Sequence, residues 1–357
     1  MLAGSAAARH YGYSSARVKS MESQLIDNKT MQEVMNAKDI STILSILFQR
    51  EFKKDIEEFG GLEIKHELID FALSKNLAKS VSKLVQISPT NERKWMRAIV
   101  GKWDLYNAKL AIEARGNKLS YDKIASQIVD YGIYNATVIK EVMREESIEG
   151  MLAKLMINSP YADILKDGAE VYKKGHNVLF AIAEIDKSYY KMLGSTIMGL
   201  RVVQNEAARV VKMEIDMKNI LFAIKAKRSG FKFQEIGASM ISSGNISVSE
   251  IEQMYNGSKD DIESFVSQIK TYDLKTALDV YKNSRVKQLL TFEIGLKNAI
   301  FERSTKLLNH SILSFGAILA YAYMKEIEIY TLRIIINGRL YGLSREEMQR
   351  LIVWKNE

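Results

Sequence analysis

Asp104, Asn107 and Arg115 stand at i, i+3 and i+11 in DLYNAKLAIEARG, and the same order of chemistry returns twice more. DMKNILFAIKAKR supplies Asp216, Asn219 and Lys227; EIYTLRIIINGR supplies Glu328 and Arg339. Carboxylates, amides and cations in such a pattern can either converge on a ligand or tie a helix to its neighbours through hydrogen bonds and ion pairs. On a helix Asp104, Asn107, Ala111 and Arg115 share one face. Yet Asp104 and Arg115 are about 16 Å apart along the axis at 1.5 Å per residue, so they cannot pair with each other. Their partners are expected on other helices or other subunits, and a hydrogen-bonded seam in every repeat is favoured over a ligand site.

Little else in the sequence points to covalent chemistry. The chain has no cysteine, which excludes disulfides, thiolate metal sites and a thiol nucleophile, and fits a reducing cytosol. The four histidines, His10, His66, His176 and His310, are scattered and read as surface or interhelical residues. Glu57-Glu58, Glu145-Glu146, Asp260-Asp261 and Glu346-Glu347 are adjacent pairs, which diverge on a helix and read as solvated faces. No GxxxxGK[ST], GxGxxG after a strand, HExxH or GxSxG motif occurs. No cofactor, metal or small-molecule substrate is expected.

The elements that position the repeated residues read as helices throughout. Only two prolines occur in 357 residues, 47% of the chain is hydrophobic, and Ala, Leu, Ile, Lys and Glu dominate without strand-like alternation. The fold class is therefore all-α. Asp216 stands at an offset of 112 from Asp104, and Glu328 at that same offset from Asp216, with 21 columns aligned without a gap. Such a period is far longer than that of a helical solenoid and predicts three similar helical domains, 1–125, 126–237 and 238–357. Three equal units suggest a closed pseudo-threefold arrangement, a ring or funnel with a central depression.

Within each unit the DxxN helix ends near Gly116, Gly230, and Gly338 or Gly342, where glycine can take the left-handed cap. Ser120 and Ser344 are placed as N-caps, and Ser344 with Glu347 and Ser247 with Glu250 spell capping boxes. Val18, Met21 and Leu25 predict one helical stripe; Ile124, Ile128, Tyr131, Asn135 and Val138 predict another. Pro89 and Pro160 fit first turns of helices, and Gly60-Gly61 and SSGNISVSEIE mark loops. The first nine or so residues read as a loose tail without the basic start of a signal peptide. The most apolar run, SILSFGAILAYAY from Ser311 to Tyr323, falls short of the about 20 residues that a spanning helix needs. Net charge is +8, most of it in residues 1–125, where 20 basic residues meet 15 acidic ones.

YGYSSARVKSMESQLI, EIDKSYYKML and, above all, KEIEIYTLRIIINGRLYGLSREEMQRLIV carry a resemblance to the C subunit of archaeal A-type (V/A-type) ATP synthases, itself related to the d subunit of the eukaryotic vacuolar ATPase. Tyr11, Tyr13 and Arg17 near the start, and Glu326, Glu328, Arg333 and Gly338 near the end, match the family pattern. The resemblance implies three helical domains forming a funnel. It implies a non-catalytic central-stalk socket on the cytoplasmic end of the proteolipid ring, receiving the foot of the shaft, with peripheral contact to the membrane surface. Asp104, Asn107, Arg115, Asp216, Asn219, Lys227, Glu328, Arg333 and Arg339 are then expected at partner interfaces or domain seams. Two other classes stay open on the residues alone. A basic helical nucleic-acid-binding protein is supported only by net charge and lacks a dense basic cluster with interleaved aromatics. A helical enzyme with an inter-domain site would need clustered, perturbed titratable groups.

Overall fold

A computed structural model describes residues 2–58, 66–197, 205–257, 264–265, 277, 279, 281–282, 289–310 and 312–352. It is all-α, with no strand among the described residues. Helices α1 (Leu2–Glu22), α2 (Asn28–Asn36), α3 (Ile40–Phe48) and α4 (Lys53–Glu58) precede a long pair, α5 (His66–Ile87) and α6 (Arg93–Gly116). Short α7 (Tyr121–Ile124), α8 (Ala136–Val142), α9 (Ile148–Met156) and α10 (Ala162–Gly175) lead to the next pair, α11 (Val178–Ile197) and α12 (Asn205–Arg228). Then come α13 (Phe233–Ile236), α14 (Val248–Gly257), a third pair, α15 (Leu289–His310) and α16 (Phe315–Leu340), and α17 (Arg345–Leu351).

The period read from the sequence is also the period of the helices. The second long helix closes at Gly116, Arg228 and Leu340, and the short helix after it opens at Tyr121, Phe233 and Arg345, in each case at the offset that separates the repeated acids. The chain packs as two compact units, Met1–Met96 with Val203–Ala207 and Asp273–Glu357, and Arg97–Val202 with Ala208–Tyr272. This is a different partition from the three sequence repeats, because α6 and α12 each begin in the first unit and continue in the second. In the first unit α16 packs against α1, α3, α5 and α15 and is buried along most of its length. In the second, α10 packs on α9 and α11.

Local expectations fare unevenly. Residues from Leu2 onward belong to α1, not to a loose tail. The stripe from Ile124 to Val138 is not one helix: α7 ends at Ile124, a 3-10 turn spans Ala125–Gln127, and a loop runs to Asn135, which caps α8. Ile124 and Ile128 are buried all the same, while Tyr131 and Val138 are half-buried, so spacing that suits a helix is here that of a loop packed on the core. Pro89 and Pro160 sit in the turns before α6 and α10 rather than inside their first turns. Gly60-Gly61 and Asp260-Asp261 lie outside the described residues.

The left-handed positions also keep register. Lys118, Gly230 and Gly342 have φ of 58°, 79° and 71°, whereas Gly116 and Gly338 are helical. Ser344 and Glu347 form the expected capping box, Ser247 and Glu250 exchange the same bonds, and Ser120 caps α7 without a side-chain bond. Lys118 thus holds a conformation its Cβ disfavours by roughly 1–2 kcal/mol. Lys118→Gly is expected to raise stability by up to about 1 kcal/mol and Gly342→Ala to lower it by about 1 kcal/mol, both read from urea denaturation.

Candidate functional site

The repeated acid and amide each hold the backbone of a loop that follows their helix. Asp104 accepts from the Tyr134 amide (2.9 Å), and Asp216 accepts from the Ile246 amide (3.0 Å), the same 30 residues downstream. Asn107 brackets one residue, accepting from Val129 N (3.0 Å) and donating to Val129 O (2.6 Å); Asn219 does the same to Ile241 at 2.9 and 2.8 Å. The cation at the end of the pattern donates to a carbonyl at a helix end: Arg115 to Met143 O (2.5 Å) and Lys227 to Tyr255 O. Asp104, Asn107, Asp216 and Asn219 are all buried. Side chains thereby satisfy loop amides that a continuing helix would have satisfied itself, which is why residues 128–134 leave the helix despite their apolar spacing.

Glycine makes the close approach possible. A Cβ at Gly132, or at Gly244 in the same column of the next repeat, would fall well inside contact distance of the carboxylate oxygens of Asp104 and Asp216.

The third copy is completed by the opposite end of the sequence. Glu328 accepts from the Ile26 amide (2.6 Å) and Arg339 donates to Met35 O (2.6 Å). Ile26 and Met35 precede Tyr134 and Met143, the partners in the first copy, by one shared offset of 108. Asp27 caps α2 as Asn135 caps α8, and α3 matches α9 in length and in the same offset. Gln24 holds the register position of Gly132, and the acid opposite is the longer glutamate. Arg333 joins α16 to α5, donating to Ser74 and lying 3.6 Å from Asp70.

Two ion clusters, one buried and one half-buried, stiffen these frames, and neither stands out in the sequence. In the first unit fully buried Lys325 bonds both Glu51 and Glu328 and lies over the Phe52 ring. Burial opposes its charge, but the two carboxylates outweigh it and hold Lys325 above the ordinary lysine range; burial pushes Glu51 up. In the second unit Asp186 of α11 receives Lys109 of α6 and Lys218 of α12 (3.1 Å), while Lys102 of α6 lies 3.4 Å from Glu214 of α12. Burial works against the Asp186 charge, yet the two ammonium groups hold its carboxyl low, whereas burial brings Lys109 down to about 8. These lysines sit in helices whose local pattern gives no sign of a distant acid, and only the packing reveals them.

The histidines do not converge. His10 meets Glu92 (2.7 Å) and His176 lies 3.5 Å from Glu149. Among the described residues no cluster of His, Asp or Glu could hold a metal ion, and no helix is long and apolar enough to cross a membrane.

The most regular polar residues of this all-helical repeat protein are thus spent on its own backbone. Residues 14–351 match the model of the ATP synthase (C/AC39) subunit family, and the chain belongs to that family. As a member it is an accessory part of an ATP synthase and not its catalytic part. It is 24% identical over 351 residues to the C subunit of the A-type ATP synthase of Methanococcoides burtonii, covering 98% of this chain and 96% of the relative. The C subunit of Methanosarcina barkeri is 25% identical over 347 residues (96% of this chain, 93% of the relative), and that of Thermoplasma acidophilum 21% identical over 347 (94% and 96%).

Asp216→Ala leaves the buried Ile246 amide without its acceptor and is expected to cost about 2–4 kcal/mol in urea denaturation. Asp186→Ala leaves Lys109 and Lys218 facing each other and is expected to cost about 3–5 kcal/mol. Lys109 titrates lower folded than unfolded, so the unfolded chain binds more protons between about pH 8 and 10.5 and stability from this group rises with pH across that window. Stability curves of wild type and Lys109→Met against pH are expected to diverge there, with wild type gaining.

Proposed function

We propose that this chain is the socket of a rotary A-type ATP synthase, a central-stalk component that couples the proteolipid ring to the central shaft during proton-driven ATP synthesis. On this reading it is a peripheral protein at the cytoplasmic face of the membrane, its partners are the ring and the stalk subunits, and it handles neither nucleic acid nor a small-molecule substrate. Three repeat domains in pseudo-threefold order would form the funnel that receives the shaft. The observation that carries the reading is the family match over residues 14–351. The likeness to relatives named as C subunits of A-type ATP synthases, across nearly their full length, points the same way.

The physics of a torque coupler agrees. Such a part must not shear between its domains, and a loop held by a buried carboxylate and a partly buried cation in every repeat, with a buried amide in the first two, resists sliding more than apolar contact does, because each displaced donor would be left unpaired. The repeated residues would then serve the seams, while Arg115, Lys227 and Arg339, only partly buried, stand nearer to surfaces a partner can reach.

Affinity capture of the tagged chain from gently solubilised host membranes tests the reading. Proteolipid, central-stalk and nucleotide-binding subunits are expected together in one ATP-hydrolysing particle by mass spectrometry; recovery of the chain alone or with nucleic acid would overturn it.

A further inference from the structure

We propose that Asn256, the last residue but one of α14, is a site of self-modification: the Gly257 nitrogen displaces the side-chain nitrogen of Asn256 as ammonia, and water then opens the resulting ring to a carboxylate beside the cation clamp of the second copy.

The Asn-Gly dipeptide occurs twice in the chain, as Asn256-Gly257 and as Asn337-Gly338, and the structure gives the two opposite surroundings. Asn256 and Gly257 are both exposed, at the end of α14. Asn337 is half-buried and Gly338 buried within α16, and the helix continues to Leu340. There the Asn337 carbonyl accepts from the Tyr341 amide (2.9 Å), the Gly338 carbonyl accepts from the Leu343 amide (2.8 Å), and a Cβ at Gly338 would lie 2.7 Å from Met348 of α17. Closing the ring takes the asparagine ψ away from its helical value. At Asn337 that would break this packing; at Asn256 it disturbs only the last turn of a helix, where opening costs least.

Glycine is the residue this reaction needs. With no Cβ it leaves its backbone nitrogen open to the preceding side chain and adopts the angles of a cyclic imide at little cost, and asparagine is among the thermolabile residues. The Gly257 nitrogen gives its proton to solvent and bonds to Cγ of Asn256; the Cγ–Nδ2 bond breaks, and Nδ2 takes up a proton and leaves as ammonia. Water then adds to either carbonyl carbon of the imide and cleaves that carbon's bond to the Gly257 nitrogen. The products are aspartate and its isomer, in which the main chain runs through the former side chain. Water is the sole co-reactant, and nothing is oxidised or reduced.

The position gives the change its effect. Lys227 donates to the carbonyl of Tyr255, the residue before Asn256, and lies 4.7 Å from the centre of its ring, while the Tyr255 hydroxyl donates to Phe231 O (2.6 Å). Modification therefore sets an anion, or a main chain longer by one methylene, directly after the carbonyl that the cation holds. An added negative charge at a helix C-terminus also opposes the helix dipole. The matching dipeptides of the other copies are Arg144-Glu145 after Met143 and Asn36-Ala37 after Met35, and neither is Asn-Gly. The second clamp alone carries this dipeptide.

Ageing the folded full chain in mildly alkaline buffer made with heavy-oxygen water, followed by peptide mass spectrometry, tests this. The Asn256 peptide is expected to turn from amide to acid, with solvent oxygen incorporated and both isomers present, about tenfold or more faster than the Asn337 peptide. The same chain unfolded in urea is expected to react at both sites. An Asn256 that stays intact in the folded chain while the unfolded chain reacts, or equal rates at the two sites in the folded chain, would overturn the proposal. In a second measurement, Gly257→Ala, shown to be folded by its melting curve, is expected to suppress the acid at position 256. Its formation at the wild-type rate would mean a route other than attack by the Gly257 nitrogen and would overturn the proposal too.

Discussion

A helix-borne carboxylate that accepts the backbone amide of a loop thirty residues away is the constraint on which the rest depends. Asp104 and Asp216 do this with the same atoms, the same offset and a glycine in the same place behind the carboxylate. A buried backbone donor must be paired, and here the pairing is delegated to a side chain on another element. The loop after α7 or α13 is then held in a conformation that neither helix nor sheet would give it. The asparagine one turn further along fixes a second residue by both of its backbone groups. Two residues one turn apart thus dictate where the next short helix begins.

The third copy makes the constraint chemical rather than sequential. Glu328 and Arg339 find at Ile26 and Met35 what Asp104 and Arg115 find at Tyr134 and Met143, although the partners come from the far end of the chain. The offset of 108 in place of 112 explains why the N-terminal segment does not announce itself as part of a repeat. Its acid differs too. Glu328 serves both the Ile26 amide and Lys325, so a carboxylate that in the first copy meets the Tyr161 hydroxyl here meets a buried ammonium. A hydroxyl can be left half-wet; a buried ammonium cannot, which is why Glu51 is recruited as a second counter-charge.

What is legible in the sequence follows the same division. Helical class, the long repeat period, the Ser344 and Ser247 capping boxes and the family resemblance rest on local pattern or on columns that recur in register, and these can be counted without a structure. The run from Ile124 to Val138 reads as a helix because its apolar spacing fits one, while the reason it is not one lies in Asp104 and Asn107, some twenty to thirty residues earlier. Gly116 outranks Lys118 as a cap for a related reason: composition points to glycine, whereas register points two residues on. The Lys109, Asp186 and Lys218 cluster is invisible because each member alone is an ordinary charged residue on a helix.

The two clusters resist distortion of their own unit to different degrees. Around Lys325 two carboxylates surround one cation in a place water does not reach, and Glu328 is at the same time the acceptor that closes the third copy. Distorting that seam would separate charges at low dielectric, so resistance there is steep. Around Asp186 two ammonium groups meet one carboxylate, Glu214 adds to the hold on both, and solvent still reaches the lysines. Water can therefore offset part of any separation of those charges, and resistance there is shallower. Stiffness thus differs between the two clusters through their exposure.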